Sequence, residues 1–481
     1  VLAALAVIPN AVQAQDEAGT GASEPAASTN RPVKRLALVG GTVLTISGPP
    51  LEAGDVLIEN GKIAAVGRNL DLPEGTTVFD VSGRTLFPGL IDAGSTLGLP
   101  KRDAEAGSAG LSVKDGLDPF DRDRERVLAA GVTTVFVTPK LRGPSTGTFG
   151  SVIKIRPGTD PAEMVLVDVA AVRAAIGVSR GTTSDTLTRW RSYQSLERTL
   201  KGIKSYTESL ERYRKSLEKW KNDLREWRQK AGIPIEGEAK AGARSEDDKK
   251  RAKKKDRTKE ASRKPSKKKK VPRRPKKPRE PRPDPVKQAL AEALDRKIPL
   301  RIEAHRAEDI RRALTLARNH GFPLVLEGAT EAGVLAGEIK KAGASVVLGP
   351  LVLFDPRRLE YAKFDPESVA VLARLEIPVA LASASTRPSS GRFLPLIAAA
   401  AGGHGLGRDG ALRAVTLDAA KVLGVEKRLG SIEVGKDADL VIADRHPLDT
   451  ECRVETVLIE GEVVHGIARP SARAPGEEEK Q

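Results

Sequence analysis

Six side chains in three short stretches have the types and spacing to handle a small molecule: Ser95, Thr96, Glu303, His305, Arg306 and Glu327. In Arg301-Ile302-Glu303-Ala304-His305-Arg306 a carboxylate and an imidazole alternate. On a strand, side chains repeat with period two, so Glu303 and His305 share a face. Leu326-Glu327-Gly328-Ala329-Thr330-Glu331 ends a second apolar run on the carboxylate of Glu327. The hydroxyls of Ser95 and Thr96 stand where the apolar run of Pro88-Gly89-Leu90-Ile91-Asp92-Ala93-Gly94-Ser95-Thr96-Leu97-Gly98 turns polar. Two chemistries could use such a set. A catalytic zinc needs about three protein ligands and an open position, and His305 with Glu303 and Glu327 would offer only an improvised site. A serine nucleophile, Ser95 or Ser383 with His305 as base, would also need an orienting acid and an oxyanion hole, which the sequence does not display. His320, His404, His446 and His465 fall at a helix end, in a glycine-rich loop and in a terminal β region, and read as surface or capping residues.

The elements that must position these groups alternate. Buried-strand patterns at 85–93, 132–138, 151–155, 164–169, 300–306, 324–327, 345–348 and 379–384 are separated by helical patterns, which predicts an α/β fold with a parallel sheet. The barrel is assigned to 83–182 and 286–427, and about 242 residues agree with one (β/α)8 barrel of ~250. Short alternating strands at 34–82 and 428–466 predict a β-sandwich built from both ends of the chain, and Asn60-Gly61 between two such runs signals a hairpin.

An insertion at 183–285 interrupts the barrel. Leu196, Leu200, Ile203, Tyr206, Leu210, Tyr213, Leu217, Trp220, Leu224 and Trp227 recur at spacings of 3 and 4, which predicts a long amphipathic helix over 187–229 that would suit a homodimer contact. The remainder, 230–285, is predicted to be disordered. Residues 249–282 hold 20 Lys/Arg against 3 Asp/Glu, so this one segment accounts for the chain's +16 and the rest is close to neutral. An anionic envelope surface would suit it; nucleic acid is not expected, because no aromatic residue interrupts the run to stack on bases.

Cys452 is the only cysteine, so neither an intrachain disulfide nor a cysteine metal site can form. Residues 1–14 are largely apolar and end in Val12-Gln13-Ala14, the back half of a secretory leader, which predicts export to the periplasm or envelope. Residues 15–33 and 467–481 read as disordered linker and tail.

The Pro88 to Gly98 stretch, together with Gly430-Ser431-Ile432-Glu433-Val434-Gly435-Lys436-Asp437-Ala438-Asp439-Leu440-Val441, resembles the amidohydrolase superfamily, nearest to its imidazolonepropionase-like and prolidase-like branch. The resemblance implies a (β/α)8 barrel beside a composite β-sandwich, and hydrolysis of carbon-nitrogen bonds by one or two divalent metals. It also implies where the ligands belong. Gly94 and Thr96 stand at the two strand-one histidine positions, Gly328 at the strand-six ligand and Ala384 at the strand-eight aspartate. Arg173 stands where a bridging lysine could be expected, and only His305 matches a family ligand. A catalytic zinc lowers its water's pKa from 15.7 to about 7, so its loss forfeits roughly eight orders of magnitude in hydroxide at neutral pH. The expectation is therefore a relative without a metal cofactor, silent in catalysis, that binds a small molecule at a barrel mouth lined by the six residues above. A hydrolase with an unconventional zinc-like site, and an envelope scaffold using the arm and the basic segment, are the alternatives.

Overall fold

The computed structural model describes residues 34–100, 112–139, 146–156, 160–178, 186–231, 273–349, 351–352, 363–383 and 388–466. The leader-like segment, the 15–33 linker, the basic run 249–272, Ala384 and the 467–481 tail lie outside them. Among the described residues no helix is long and apolar enough to cross a membrane.

The two ends of the chain build one sheet. Strands β1 (Arg35–Val43), β2 (Leu51–Glu59), β3 (Lys62–Gly67), β4 (Thr77–Asp80) and β5 (Thr85–Pro88) come from the N-terminal side. β14 (Leu440–Ala443), β15 (Val454–Ile459) and β16 (Glu462–Gly466) come from the C-terminal side. The order is β16-β15-β14-β5-β1-β2-β3, with β4 also on β1. The join is the antiparallel pair β14 and β5, with Leu440 opposite Pro88. Leu38, Val56, Ile58, Leu86, Leu440 and Leu458 pack its apolar core. Asn60 and Gly61 both take positive φ, as a tight hairpin between β2 and β3 requires.

The second sheet is a nearly closed barrel. Its strands follow chain order: β6 (Leu90–Ser95), β7 (Val132–Val137), β8 (Thr146–Lys154), β9 (Val165–Ala175), β10 (Leu300–Ala304), β11 (Leu324–Gly328), β12 (Ser345–Leu348) and β13 (Val379–Leu381). β13 returns to β6, where the Ser383 N–H donates to Asp92 at 2.9 Å. Helices α1 (Asp123–Leu128), α2 (Pro161–Met164), α3 (Thr186–Ala231), α4 (Pro285–Leu294) and α5 (Ala307–His320) follow or separate the strands.

Two details depart from the sequence reading. The strand expected over 85–93 is two strands in two sheets, divided at Gly89. A Cβ there would lie 2.0 Å from Thr133 Oγ1, so the chain can cross from sheet to sheet only on a glycine. The sheet is also not all parallel: β8 runs antiparallel to both β7 and β9. Parallel neighbours need a crossover of a dozen or more residues, whereas 8 residues join β7 to β8 and 10 join β8 to β9. The reversal sends Lys154 to the bottom of the barrel, where it meets the other sheet. Its ammonium donates to Asp437 at 2.8 Å, Asp439 at 3.1 Å and Glu460 at 2.9 Å, and Arg428 reaches Asp437 at 2.6 Å.

The insertion begins as α3, 46 residues and about 69 Å at 1.5 Å per residue. Its first turns dock on the barrel: Leu196, Leu200 and Ile203 are buried, and Arg189 pairs with Asp309 of α5 at 2.8 Å. Beyond Ile203 the apolar stripe is half-buried. Residues 273–284, expected to be disordered, lie extended along α3 in the opposite direction. Trp220 Nε1–H donates to the Pro275 carbonyl at 3.1 Å, and Asp284 N–H to the Tyr206 hydroxyl at 3.4 Å. The physical reason is proline spacing. Pro275, Pro278 and Pro281 fall on one edge of a polyproline II helix of three residues per turn, and they are the half-buried positions, while the Lys and Arg between them are exposed.

Candidate ligand site at the barrel mouth

β10 aims Arg301, Glu303 and His305 by its period of two. Register then fixes their neighbours: Arg301 lies opposite Arg173 of β9, and Glu303 opposite Glu327 of β11. Two guanidiniums side by side in an interior would repel. Glu327 resolves this by accepting from both: Arg173 Nε at 2.8 Å and Nη2 at 2.5 Å, and Arg301 Nε at 2.8 Å. Such forked pairing is the strongest form a carboxylate can make with arginine. Arg173 also reaches Glu303 at 3.2 Å and the Pro139 carbonyl at 3.1 Å. Arg301 donates to the Ala93 carbonyl and lies over the Phe136 ring at 4.2 Å. Burial works against the charge on both arginines. At Arg173 the carboxylates of Glu327 and Glu303 outweigh it and the pKa stands above the ordinary value. At Arg301 burial prevails, helped by Arg173, and the pKa stands below it. Both remain cations, since arginine starts so high.

His305 is buried beside this network, its Nδ1 2.7 Å from Thr330 Oγ1 and its Nε2 3.6 Å from Glu303. Thr330 fixes the ring's direction, and the tautomer follows from which atom of the pair donates. Across the barrel Asp92 is fully buried, accepting from the Ser383 hydroxyl at 2.5 Å and from Gly94 N–H at 3.1 Å. Burial pushes its carboxyl up to about 6, against the hydrogen bonds from Ser383.

The structure thus brings Glu303, His305 and Glu327 together. Ser95 and Thr96 are buried at the end of β6; Ser95 Oγ accepts from Leu97 N–H at 3.2 Å, and Thr96 Oγ1 has no hydrogen-bond partner among the described residues. Arg306 stands half-buried at the entry to α5, where its carbonyl accepts from the N–H groups of Asp309 and Ile310. Ser383 is tied to Asp92 rather than to His305, so the serine-nucleophile arrangement does not form around it. Arg301 and Asp92 were not singled out from sequence. The signal for Arg301 was a third polar residue in step with Glu303 and His305 on a strand otherwise apolar.

The residues at the family's ligand positions do not fit a divalent metal. A Cβ at Gly94 would lie 3.3 Å from Arg301 Nη2, so the guanidinium occupies the room a histidine would need. Gly328, at φ +77°, has the His305 ring 2.4 Å from where its Cβ would stand. Among the described residues no three His, Cys, Asp or Glu side chains gather as a metal-holding group. Two arginines already present positive charge to Glu327, and a dication beside them would be repelled in a low dielectric.

Comparison with known proteins agrees with the architecture. The Amidohydrolase family profile matches residues 272–465. A solved amidohydrolase from Thermotoga maritima is similar over 90% of this chain and 100% of its own, with 29% identity and a TM-score of 0.70. Among curated proteins, the chain is similar to a dihydroorotase of Mycobacterium tuberculosis, 38% identical over 66 residues, 13% of this chain and 15% of that protein. It is similar to a D-hydantoinase of Geobacillus stearothermophilus, 40% identical over 74 residues, 14% of this chain and 15% of that protein. Both matches span about 15% of the curated relatives' length.

Proposed function

We propose that this chain, which belongs to the amidohydrolase superfamily, is a catalytically silent relative that binds a small amide-bearing molecule at its barrel mouth without hydrolysing it. One observation carries the reading: Arg173 and Arg301 share Glu327, and the Arg301 guanidinium stands 3.3 Å from where a Cβ at Gly94 would lie. Positive charge is already present there as fixed guanidinium, which can hydrogen-bond a water but does not coordinate its oxygen and ionise it as a hydrolytic metal does. What a ligand can reach is the partly exposed Glu303 carboxylate, which would accept from an amide N–H. The leader-like residues 1–14 support placing the protein in the cell envelope.

Dihydroorotate and hydantoin, the cyclic amides for which two similar proteins are named, are the probes to use first. Titration calorimetry with each, in chelator and then with zinc or manganese, separates binding from turnover. Binding that weakens at least tenfold in Glu303→Gln, with no product in either buffer, is the expected result. Metal-stimulated release of the ring-opened acid would sink the proposal.

A further inference from the structure

We infer that the helical arm is a cationic docking rod for an anionic lipid surface, with the ordered strap 273–282 as its contact edge. The strap is not a loose tail. Trp220 and Tyr206 hold it at two points along α3, and its three half-buried prolines face the helix. Arg273, Arg274, Lys276, Lys277, Arg279 and Arg282 are consequently exposed, with Glu280 as the only acid among them. α3 adds to the same rod 13 Lys/Arg against 6 Asp/Glu. The chain's +16, less the +17 of 249–282 and the +7 of α3, leaves −8 elsewhere, so the positive field of the protein is concentrated in this insertion.

The partner's class follows from what the rod lacks. Proteins that hold single-stranded nucleic acid offer aromatic faces on which bases stack, within a basic groove. Here the Trp220 indole is bonded to the strap, and no aromatic residue stands among the strap's own cations, leaving an extended row of them. Such a row suits a flat array of anionic headgroups, to which each Lys or Arg near the surface contributes about fivefold in affinity. Preorganisation adds to this, because prolines have already fixed the extended backbone.

The test uses the full chain and sedimentation with two vesicle types, phosphatidylcholine alone and phosphatidylcholine with phosphatidylglycerol. Binding to the second type only, weakening as salt rises, is expected. Replacing the six cations together (Arg273→Gln, Arg274→Gln, Lys276→Gln, Lys277→Gln, Arg279→Gln, Arg282→Gln) should reduce that binding at least a hundredfold. These positions are exposed, so the melting temperature should not move; a shifted melt directs the reading to Trp220→Ala, which keeps every cation and frees the strap, and should bind several-fold more weakly. A six-site variant that melts normally and binds like the parent, a Trp220→Ala protein that binds like the parent, equal binding to both vesicle types, or tighter binding to single-stranded DNA at the same salt would each overturn the inference.

Discussion

At the bottom of the barrel Lys154 is enclosed by Asp437, Asp439 and Glu460; at its mouth Glu327 is enclosed by Arg173 and Arg301. The centres of the two clusters are opposite in charge, Lys154 among acids and Glu327 among arginines, and both centres are buried. They differ in what they hold. The lower cluster joins two pieces of the fold: Lys154 and Arg156 come from the barrel, and their acids from the terminal segments that make the other sheet. The upper cluster joins neighbouring strands that are already hydrogen-bonded, β9, β10 and β11, so it is not needed to bring them together. Buried ions retained at a seam serve assembly. Buried ions between strands that are already paired serve to neutralise one another.

The largest effect should come from breaking the seam. Lys154→Met leaves the buried carboxylates of Asp437 and Asp439 without the cation they share, and removing one partner of a buried pair costs about 3–5 kcal/mol. Urea unfolding should register that loss, and a cost below about 1 kcal/mol would mean that Arg428 and Lys62, which also reach Asp437 at 2.6 and 3.2 Å, suffice to hold it.

The mouth should answer to pH instead. Burial raises the Asp92 carboxyl from 3.8 to about 6 in the folded chain. Below pH 4 both states hold the proton and nothing is lost. As pH rises from 4 to 6 the unfolded chain releases its proton first, so stability falls, by about 3 kcal/mol in total. Asp92→Asn should flatten that decline while leaving the acid side unchanged. Melting temperatures taken across pH 4 to 7 would show it, and parallel curves for the two proteins would remove Asp92 from the mouth's electrostatics.

The same contrast explains what could be read from the sequence. The seam is not legible there: Gly435-Lys436-Asp437-Ala438-Asp439 marks the C-terminal strands, but that its acids meet Lys154, as Glu460 does, depends on how the two sheets pack. The barrel's strands were legible as apolar runs, yet the direction of β8 was not. Direction depends on the length of the connections, and a strand pattern is the same read either way. At the mouth, the period of two puts His305 and Glu303 on one face, and the sequence offers Arg173 only as the residue where a bridging lysine could be expected. Nothing in the sequence alone tells what Arg301 faces from this strand. Only the register, which sets it against Arg173 and within reach of Glu327, shows that its charge is neutralised inside. The strap was misread for a different reason. Its composition is that of a disordered segment, and the three-residue proline period mattered only once an aromatic stripe of matching length lay beside it.

The most direct measurement is the metal content of the purified full-length protein. Zinc, manganese, iron, nickel and cobalt would be counted per chain by elemental analysis before and after incubation with each ion and removal of excess. With Arg173 and Arg301 supplying the positive charge at the mouth, the expected result is far below one metal per chain in both samples. A stoichiometric metal that disappears in His305→Ala would contradict it, and would mean that the mouth rearranges to let a dication displace its own arginines.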